Sequence, residues 1–569
     1  LRLGAGARTG APAALIRRDG ARVTAGVARL WRGAAAEGMA ADLGRLAQAL
    51  DAGAFDHPGP VAAVEGAFAA VDWAPRRGLR LVRDALGQVP LWLADLPGGG
   101  IAFSTCPHLL RPLPEVGAEP DLDALDRWAV FRRLERGAGL WPGLTELPAG
   151  ERETVDAAGR RRLRSWQPGP DPALAGLGEA EALEAVAARL RAACAARRRP
   201  GAAMLLSGGL DSSLVAATLC AAEPERELTA LASVSAEGRG EGDRAARAAM
   251  LRRWPALRLI EVGPRGLAPL EGAEAWWRRS ATPYPDMTFF VAAALARRAA
   301  EAGAGLLVTG FGGDHVVSRH LPEAPLEALR LGRPGAAAAA VRALRHVGMT
   351  WRGLAVTTLV RGTALNRLLR PRARTAGMLA GAPHPGRAAG RLGAWAAAGL
   401  DAGDDVARSV LAGEREALEL NPDWALADLE LPAPRAAALA QAAPLLDTGL
   451  LAAVMAAPRR LKIGGGRHRA LARALLAPLA PPEVADRRGK DMFNPDIVQV
   501  MRAGLPRLRE AFRGFEADLP LWRELVDREA LAARLARAEV APDAAMLAPL
   551  TGVYTAHFLG AFLRRAAER

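Results

Sequence analysis

The run Ser207-Gly208-Gly209-Leu210-Asp211-Ser212-Ser213 constrains this chain more than any other. It lies between an apolar run, Ala202-Ala203-Met204-Leu205-Leu206, and an amphipathic run, Leu214-Val215-Ala216-Ala217-Thr218-Leu219. That order predicts a buried strand, a glycine turn and a helix N-terminus. Two adjacent glycines let backbone N–H groups close around an anion, and the helix dipole adds partial positive charge. The hydroxyls of Ser207, Ser212 and Ser213 add donors. Asp211 would repel a bare phosphate, so a carboxylate here makes sense only if it holds Mg²⁺. The predicted ligand is a Mg²⁺–polyphosphate seated on Ser207, Gly208, Gly209, Leu210, Asp211, Ser212 and Ser213. The pattern is not the G-x-x-x-x-G-K-S/T loop of ordinary kinases and GTPases.

A chain of 569 residues predicts two domains or three, and 50% hydrophobic residues are enough for a sizeable core. The three cysteines, Cys106, Cys194 and Cys220, have no metal or disulfide spacing, so a reducing, cytoplasmic setting is expected. No apolar run is long and uncharged enough to span a bilayer, and no signal peptide is visible. The chain opens on Leu1 rather than Met, which leaves open whether the native N-terminus carries further residues. The net charge of +14 invites a nucleic-acid reading. The arginines are spread along the chain without interleaved aromatics, however, so no nucleic-acid partner is expected. Attraction to an acidic peptide stays open.

Residues 1–166 are rich in Gly, Pro and short apolar runs, which predicts antiparallel sheets with turns. The segment 167–178, with Gln167-Pro168-Gly169-Pro170-Asp171-Pro172, reads as a linker to a second domain over 179–569. There a helix is predicted over 179–198, then strands over 204–206, 228–234, 257–262 and 306–309. Helices over 243–253 and 287–302 separate the later strands. This alternation predicts a parallel sheet covered by helices, with ligands at the carboxyl ends of its strands. The stretch 326–443 is Ala/Arg-rich and predicted to be mostly helical.

A second glycine turn, Thr309-Gly310-Phe311-Gly312-Gly313-Asp314-His315, follows the last of these strands. Parallel strands would put both turns on one sheet edge, where Asp211 and Asp314 can share a Mg²⁺. The first loop resembles the pyrophosphate loop of ATP pyrophosphatases, and the chain as a whole resembles the asparagine synthetase family. The likeness continues through Pro444-Leu445-Leu446-Asp447, the basic Arg467-His468-Arg469, Leu479-Ala480-Pro481-Pro482 and Arg487-Arg488-Gly489-Lys490. Glu241-Gly242-Asp243 also resembles a family element. Towards the N-terminus, Gly66-Ala67-Phe68-Ala69, the run from Arg83-Asp84 to Pro90-Leu91-Trp92, Ile101-Ala102-Phe103-Ser104-Thr105 and Ser165-Trp166 resemble that family's glutaminase domain. The resemblance implies an α/β protein of two parts. An N-terminal glutaminase-like (Ntn-type) antiparallel β sandwich precedes a C-terminal pyrophosphate-loop ATP pyrophosphatase domain with a parallel sheet and many helices.

Two departures refine this. The glutaminase needs an N-terminal Cys nucleophile, and no Cys occurs in the first hundred residues. Either a clipped N-terminus carried it or the domain no longer makes ammonia; the second is favoured, leaving the domain as scaffolding. In the family the second residue of the later turn is Glu in asparagine synthetases and Tyr in β-lactam synthetases. Phe311 cannot move a proton. His315 and His468 are the candidate bases. The chain therefore most resembles the lasso peptide (macrolactam) cyclases, which activate an Asp or Glu side chain of a precursor peptide for attack by the peptide's own N-terminal amine. That resemblance implies a precursor peptide partner, with a leader peptidase and a leader-binding protein.

The implied cofactors are ATP and Mg²⁺, the latter held by Asp211 and Asp314. Gly310, Phe311 and Gly312 would adjoin the nucleotide, and adenine would pack near Ser233. Lys490 would stabilise the charge on departing pyrophosphate, with Asp211, Asp314 and His315 completing the catalytic set. Lys462 and Lys490 are the only lysines of an Arg-rich chain; Lys462 is the lesser candidate. Trp276-Trp277 and Pro283-Tyr284-Pro285-Asp286 either line the substrate cleft or fill core. The alternatives are a small-molecule amide or β-lactam synthetase, a non-catalytic scaffold with a decayed synthetase fold, and a glutamine-dependent asparagine synthetase.

Overall fold

The computed structural model describes residues 15–19, 21–31, 39–131, 134–235, 240–264, 267–270, 282–283, 289–346, 349–356, 382–397, 409–419, 439–487, 495–540 and 547–568. The N-terminal part is built from β1 (Leu15–Asp19), β2 (Arg22–Leu30), α1 (Met39–Asp51), β3 (Gly66–Ala74), β4 (Gly78–Arg83), β5 (Trp92–Leu96), β6 (Gly100–Ser104), α2 (Leu122–Phe131), β7 (Leu144–Glu146), β8 (Glu151–Asp156) and β9 (Gly159–Arg164). Antiparallel pairing gives a six-stranded sheet, β1-β2-β3-β4-β8-β9, and a three-stranded sheet, β6-β5-β7. Both faces of β3 are apolar over residues 67–71, and the period of two explains where each set goes. Ala67, Ala69 and Val71 pack with Leu91, Leu93 and Leu147 between the two sheets. Phe68 and Ala70 pack with Leu43, Leu46 and Leu50 of α1 on the outer face.

The family-like turn after β4 is held from within. Asp84 is buried and accepts the backbone N–H groups of Phe68, Leu86, Gln88 and Val89 at 2.9–3.3 Å. Arg83 donates to the carbonyls of Gly87, Val89 and Leu147 at 2.7–2.8 Å. Those bonds satisfy buried polar backbone, so this signature is a structural one.

The second part begins with α3 (Glu179–Arg197), whose Glu181 reaches back to the backbone N–H of Gly178 at 3.0 Å. Then come β10 (Ala202–Leu205), α4 (Leu210–Ala222), β11 (Leu228–Ser233), α5 (Glu241–Arg253), β12 (Leu257–Val262), α6 (Phe289–Glu301), β13 (Leu306–Val308) and β14 (Ala440–Ala442). All five strands are parallel, in the order β12-β11-β10-β13-β14. Chain order reverses between β10 and β13, which is where such sheets open a crevice at their carboxyl ends. Ala203, Leu231 and Leu307 face α6, and Met204, Ala230 and Val308 face α3, α4 and α5.

One expectation is corrected and two are refined. The run after the glycine turn is not amphipathic: residues 212–220 of α4 are all buried, because α3 and the helix Ala470–Leu476 cover the sides the sheet does not. The stretch 326–443 is helical where described, over Pro334–His346, Trp351–Ala355, Pro385–Ala397 and Val410–Glu419, but it ends in β14, an added strand. The first part of the segment read as a linker, through Asp171, is packed, whereas 172–178 is mostly exposed. Pro168 and Gly169 are buried, and Gln167 and Asp171 donate backbone N–H groups to Gly59 and Ala452. No helix among the described residues is long and apolar enough to cross a membrane.

Candidate active site

The strand–turn–helix predicted at 202–219 is present, and its turn needs glycine. Gly208 has φ +89, and a Cβ there would stand 2.5 Å from the carbonyl oxygen of Asp243. Gly209 caps α4 in extended conformation. Ser207 Oγ and Ser212 Oγ are 3.0 Å apart, Gly209 N–H donates to Ser207 Oγ at 3.2 Å, and Ser212 Oγ donates to the Gly209 carbonyl at 3.1 Å. Two arginines take the outward carbonyls: Arg247 of α5 donates to Ser207 O and Arg487 to Gly208 O, both at 3.0 Å. Arg487 also pairs with Asp243. Burial holds the Arg247 guanidinium below its usual range, with Glu261 3.7 Å away. With its carbonyls engaged on one side, the loop presents N–H groups and the free first turn of α4 on the other.

The second turn is seated against the first. A Cβ on Gly310 would come within 2.7 Å of the Ser212 backbone nitrogen, and one on Gly313 within 2.3 Å of the Asp211 carboxyl carbon. Gly312 has φ +86 and lies under the side chain of Leu446. Asp211 accepts a hydrogen bond from Ser318, which is fully buried. Arg469 pairs with Asp314 and lies 3.7 Å from Asp211, so one guanidinium serves both carboxylates. Asp211 is largely covered and Asp314 half exposed. Arg469 caps the helix Ala470–Leu476 at φ 56, the one positive-φ residue other than glycine among those described.

These residues suit a Mg²⁺–nucleotide. The glycine cradles leave no room for a Cβ, the donors are carboxylate and hydroxyl oxygens, and a cation already bridges the carboxylates. Mg²⁺ takes one or two carboxylates and fills its shell with water and phosphate oxygens. No group of three or more His, Cys, Asp or Glu converges among the described residues, so phosphate would supply the remaining ligands. Ser233 ends β11, its buried hydroxyl without a hydrogen-bond partner among the described residues.

The remaining candidates fall differently. Phe311 packs its ring against the core beneath the sheet, and its N–H donates to Thr309 Oγ1 at 3.3 Å. His315 follows Asp314 on the turn, and burial holds it below the usual histidine range. His468 Nε2 lies 2.8 Å from His320 Nδ1. Burial, then His320 and nearby arginines, push His468 down to about 3, which makes it a poor proton acceptor at neutral pH. Lys462 is tied at 2.6 Å to Glu414, both nearly buried, and its ammonium is not offered to phosphate. Lys490, Trp276, Trp277, Tyr284, Pro285 and Asp286 lie outside the described residues, whereas Arg487, three positions before Lys490, touches the glycine loop.

Sequence reasoning assigned no site role to Arg247, Ser318, Arg469 or Arg487. The only signals were the likeness of 467–469 and 487–490 to family elements. A cleft beside Arg469 is lined by Arg319, His320, Leu321, Leu344, Lys462 and His468.

The chain matches the asparagine synthase family over residues 183–550 and the glutamine amidotransferase domain family over residues 56–167. It is also similar to the carboxyethyl-arginine beta-lactam-synthase of Streptomyces clavuligerus, 36% identical over 200 residues. That alignment covers 34% of this chain and 34% of the relative, so the chain spans about a third of that protein's length.

Proposed function

Because the chain belongs to the asparagine synthase family, we propose that it is an ATP-dependent carbon–nitrogen ligase that forms AMP and pyrophosphate and closes an amide ring within one substrate. The observation that carries this reading is the pairing of the Ser207-to-Ser213 loop with the Asp314 turn at the strand-order reversal. An oxygen of the substrate carboxylate attacks the α-phosphorus of ATP, and pyrophosphate leaves toward the glycine loop. Loop N–H groups, the Ser207 and Ser212 hydroxyls and Lys490 offset the charge that develops there. Asp211 and Asp314 would hold Mg²⁺, which supplies charge neutralisation at the phosphates. Bound substrate would displace Arg469 from the carboxylates toward the phosphates. The amine nitrogen then attacks the activated carbonyl carbon, AMP leaves, and the amine proton passes to a base, for which His315 is the nearest imidazole to Asp314 in sequence.

Phe311 supports the ring-closing reading. Phe311 leaves no proton-moving group at the position that the family uses with its amine, which suits an amine already placed by its own substrate. In the leading form the substrate is a precursor peptide whose Asp or Glu side chain is joined to its N-terminal amine, giving a lasso peptide macrolactam. A leader peptidase and a leader-binding protein would deliver it, in the cytoplasm. The glutaminase-like domain would make no ammonia. A second form, small-molecule β-lactam or amide closure, is favoured by the likeness to the beta-lactam-synthase.

The test is incubation of the protein with ATP, Mg²⁺ and either a candidate precursor peptide or a carboxyethyl amino acid. AMP release with loss of one water from the peptide supports the first form, and the same from the small molecule supports the second. Glutamine hydrolysis feeding asparagine formation would overturn both.

A further inference from the structure

The two parts of the chain meet at a buried set of charges that the reaction does not use. Glu65, just before β3, accepts the backbone N–H of Thr448 at 3.2 Å and its hydroxyl at 2.6 Å. The same hydroxyl accepts the N–H of Ala62 at 3.0 Å. Arg197, at the end of α3, lies 3.5 Å from Glu65 and 3.4 Å from Asp447. Its guanidinium stacks 4.9 Å over the ring of Trp31. Arg197 is 2% exposed, Glu65 7%, Asp447 3% and Thr448 2%. Charges removed from water this far persist only when each is met by a partner, so the four residues hold one another in place.

The set leads to the catalytic turn. Asp447 caps the helix Thr448–Ala456, accepting from Gly449 and Leu450 at 3.1 and 3.3 Å. Leu446, one residue before, lies over the α-carbon of Gly312. β14, which leads into 444–448, pairs with β13, which leads into 310–314. Asp314 stands two residues from Gly312.

We propose that Glu65, in the glutaminase-like part, is a positioning residue for the synthetase site. By anchoring Thr448 and the Asp447 cap it fixes the 444–447 turn, and through Leu446 it sets where Gly312 and Asp314 stand. This part of the chain thereby contributes to carboxylate activation without making ammonia. The inference rests on the proposed function.

The experiment measures Mg²⁺–ATP binding by titration calorimetry and Mg²⁺-dependent ATP–pyrophosphate exchange, for the full chain and for Glu65→Ala, Glu65→Asp and Thr448→Val. The folded fraction is measured by circular dichroism. The expected result is a Mg²⁺ requirement raised about tenfold in Glu65→Ala and less in Thr448→Val, at unchanged folded fraction, with partial recovery in Glu65→Asp. A merely structural role would lower the rate in proportion to the folded fraction and leave the Mg²⁺ requirement alone, which overturns the inference. Thr448→Val decides the matter by the same criterion if Glu65→Ala does not fold. A wild-type chain that binds no Mg²⁺–ATP overturns the proposed function, and this inference with it.

Discussion

Asp211 and Asp314 stand on turns that follow neighbouring parallel strands, and they share one counter-charge, the guanidinium of Arg469. Two carboxylates brought together repel unless a cation lies between them. Arg469 takes that place at some backbone cost, because a left-handed conformation costs a residue other than glycine about 1–2 kcal/mol.

Asp211→Asn or Asp314→Asn is expected to lower ATP–pyrophosphate exchange by about two orders of magnitude or more, the usual scale for a lost electrostatic contact at a phosphoryl site. Arg469→Gly should keep the fold, with stability within about 1 kcal/mol of wild type, since glycine adopts φ 56 freely. Its Mg²⁺ half-saturation should fall several-fold once the competing cation is gone. Exchange rates against Mg²⁺ concentration check both. A rise in half-saturation for Arg469→Gly would show that the arginine helps assemble the site instead.

Gly313→Ala is a sharper probe than Gly208→Ala. Gly208 has a positive φ, so a side chain there strains the backbone as well as the loop. Gly313 is not among the positive-φ glycines, and the nearest atoms to the added methyl would be those of the Asp211 side chain, the carboxyl carbon 2.3 Å away. Thermal unfolding is expected to shift by a few degrees, about 1 kcal/mol, while exchange falls at least tenfold. Equal loss of both would place Gly313 in the fold rather than in the site.

Lys490→Ala is expected to reduce exchange about a hundredfold, and Lys490→Arg should recover little of it. An ammonium acts as a compact point charge, and a planar guanidinium does not replace it at a departing pyrophosphate. Full activity in Lys490→Arg would assign the role to charge alone.

Glu323 provides the pH prediction. Burial pushes its carboxyl up to about 7 from 4.5, with Arg319 opposing and Glu414 adding to the shift. The folded state therefore binds this proton more tightly than the unfolded state. The associated stability is fully present below pH 4.5 and is lost as pH rises through 7. Glu323→Gln should remove that slope and be more stable than wild type at pH 8 by about 1–3 kcal/mol, with little difference at pH 4. Urea unfolding at the two pH values checks it.

Much of the site was legible because its chemistry is local. Gly208, Gly209 and Asp211 occur within four residues, and the turn they predict needs only the backbone freedom of glycine. The second strand-and-turn was legible for the same reason, with β12 observed over the predicted residues and β13 one residue shorter. The meeting of Asp211 and Asp314 followed from parallel pairing, which sends both turns to one edge. α4 misled because Ser212, Ser213 and Thr218 are set among its apolar residues, and only its neighbours decide that all sides are covered. β14 was missed because Ala440-Gln441-Ala442 is too short to show a period.

By itself, then, the sequence determined the glycine turns, their carboxylates, the sheet edge that joins them and the family to which they belong. Only the tertiary structure decided which cations meet those groups. Arg247, Arg469 and Arg487 come from distant parts of the chain, and an Arg-rich composition makes every arginine look alike until packing selects one. The same holds for Glu65 and Arg197 at the junction of the two parts. A charge removed from water is held by whatever partner folding brings within about 4 Å, and that distance is written in no local run of residues.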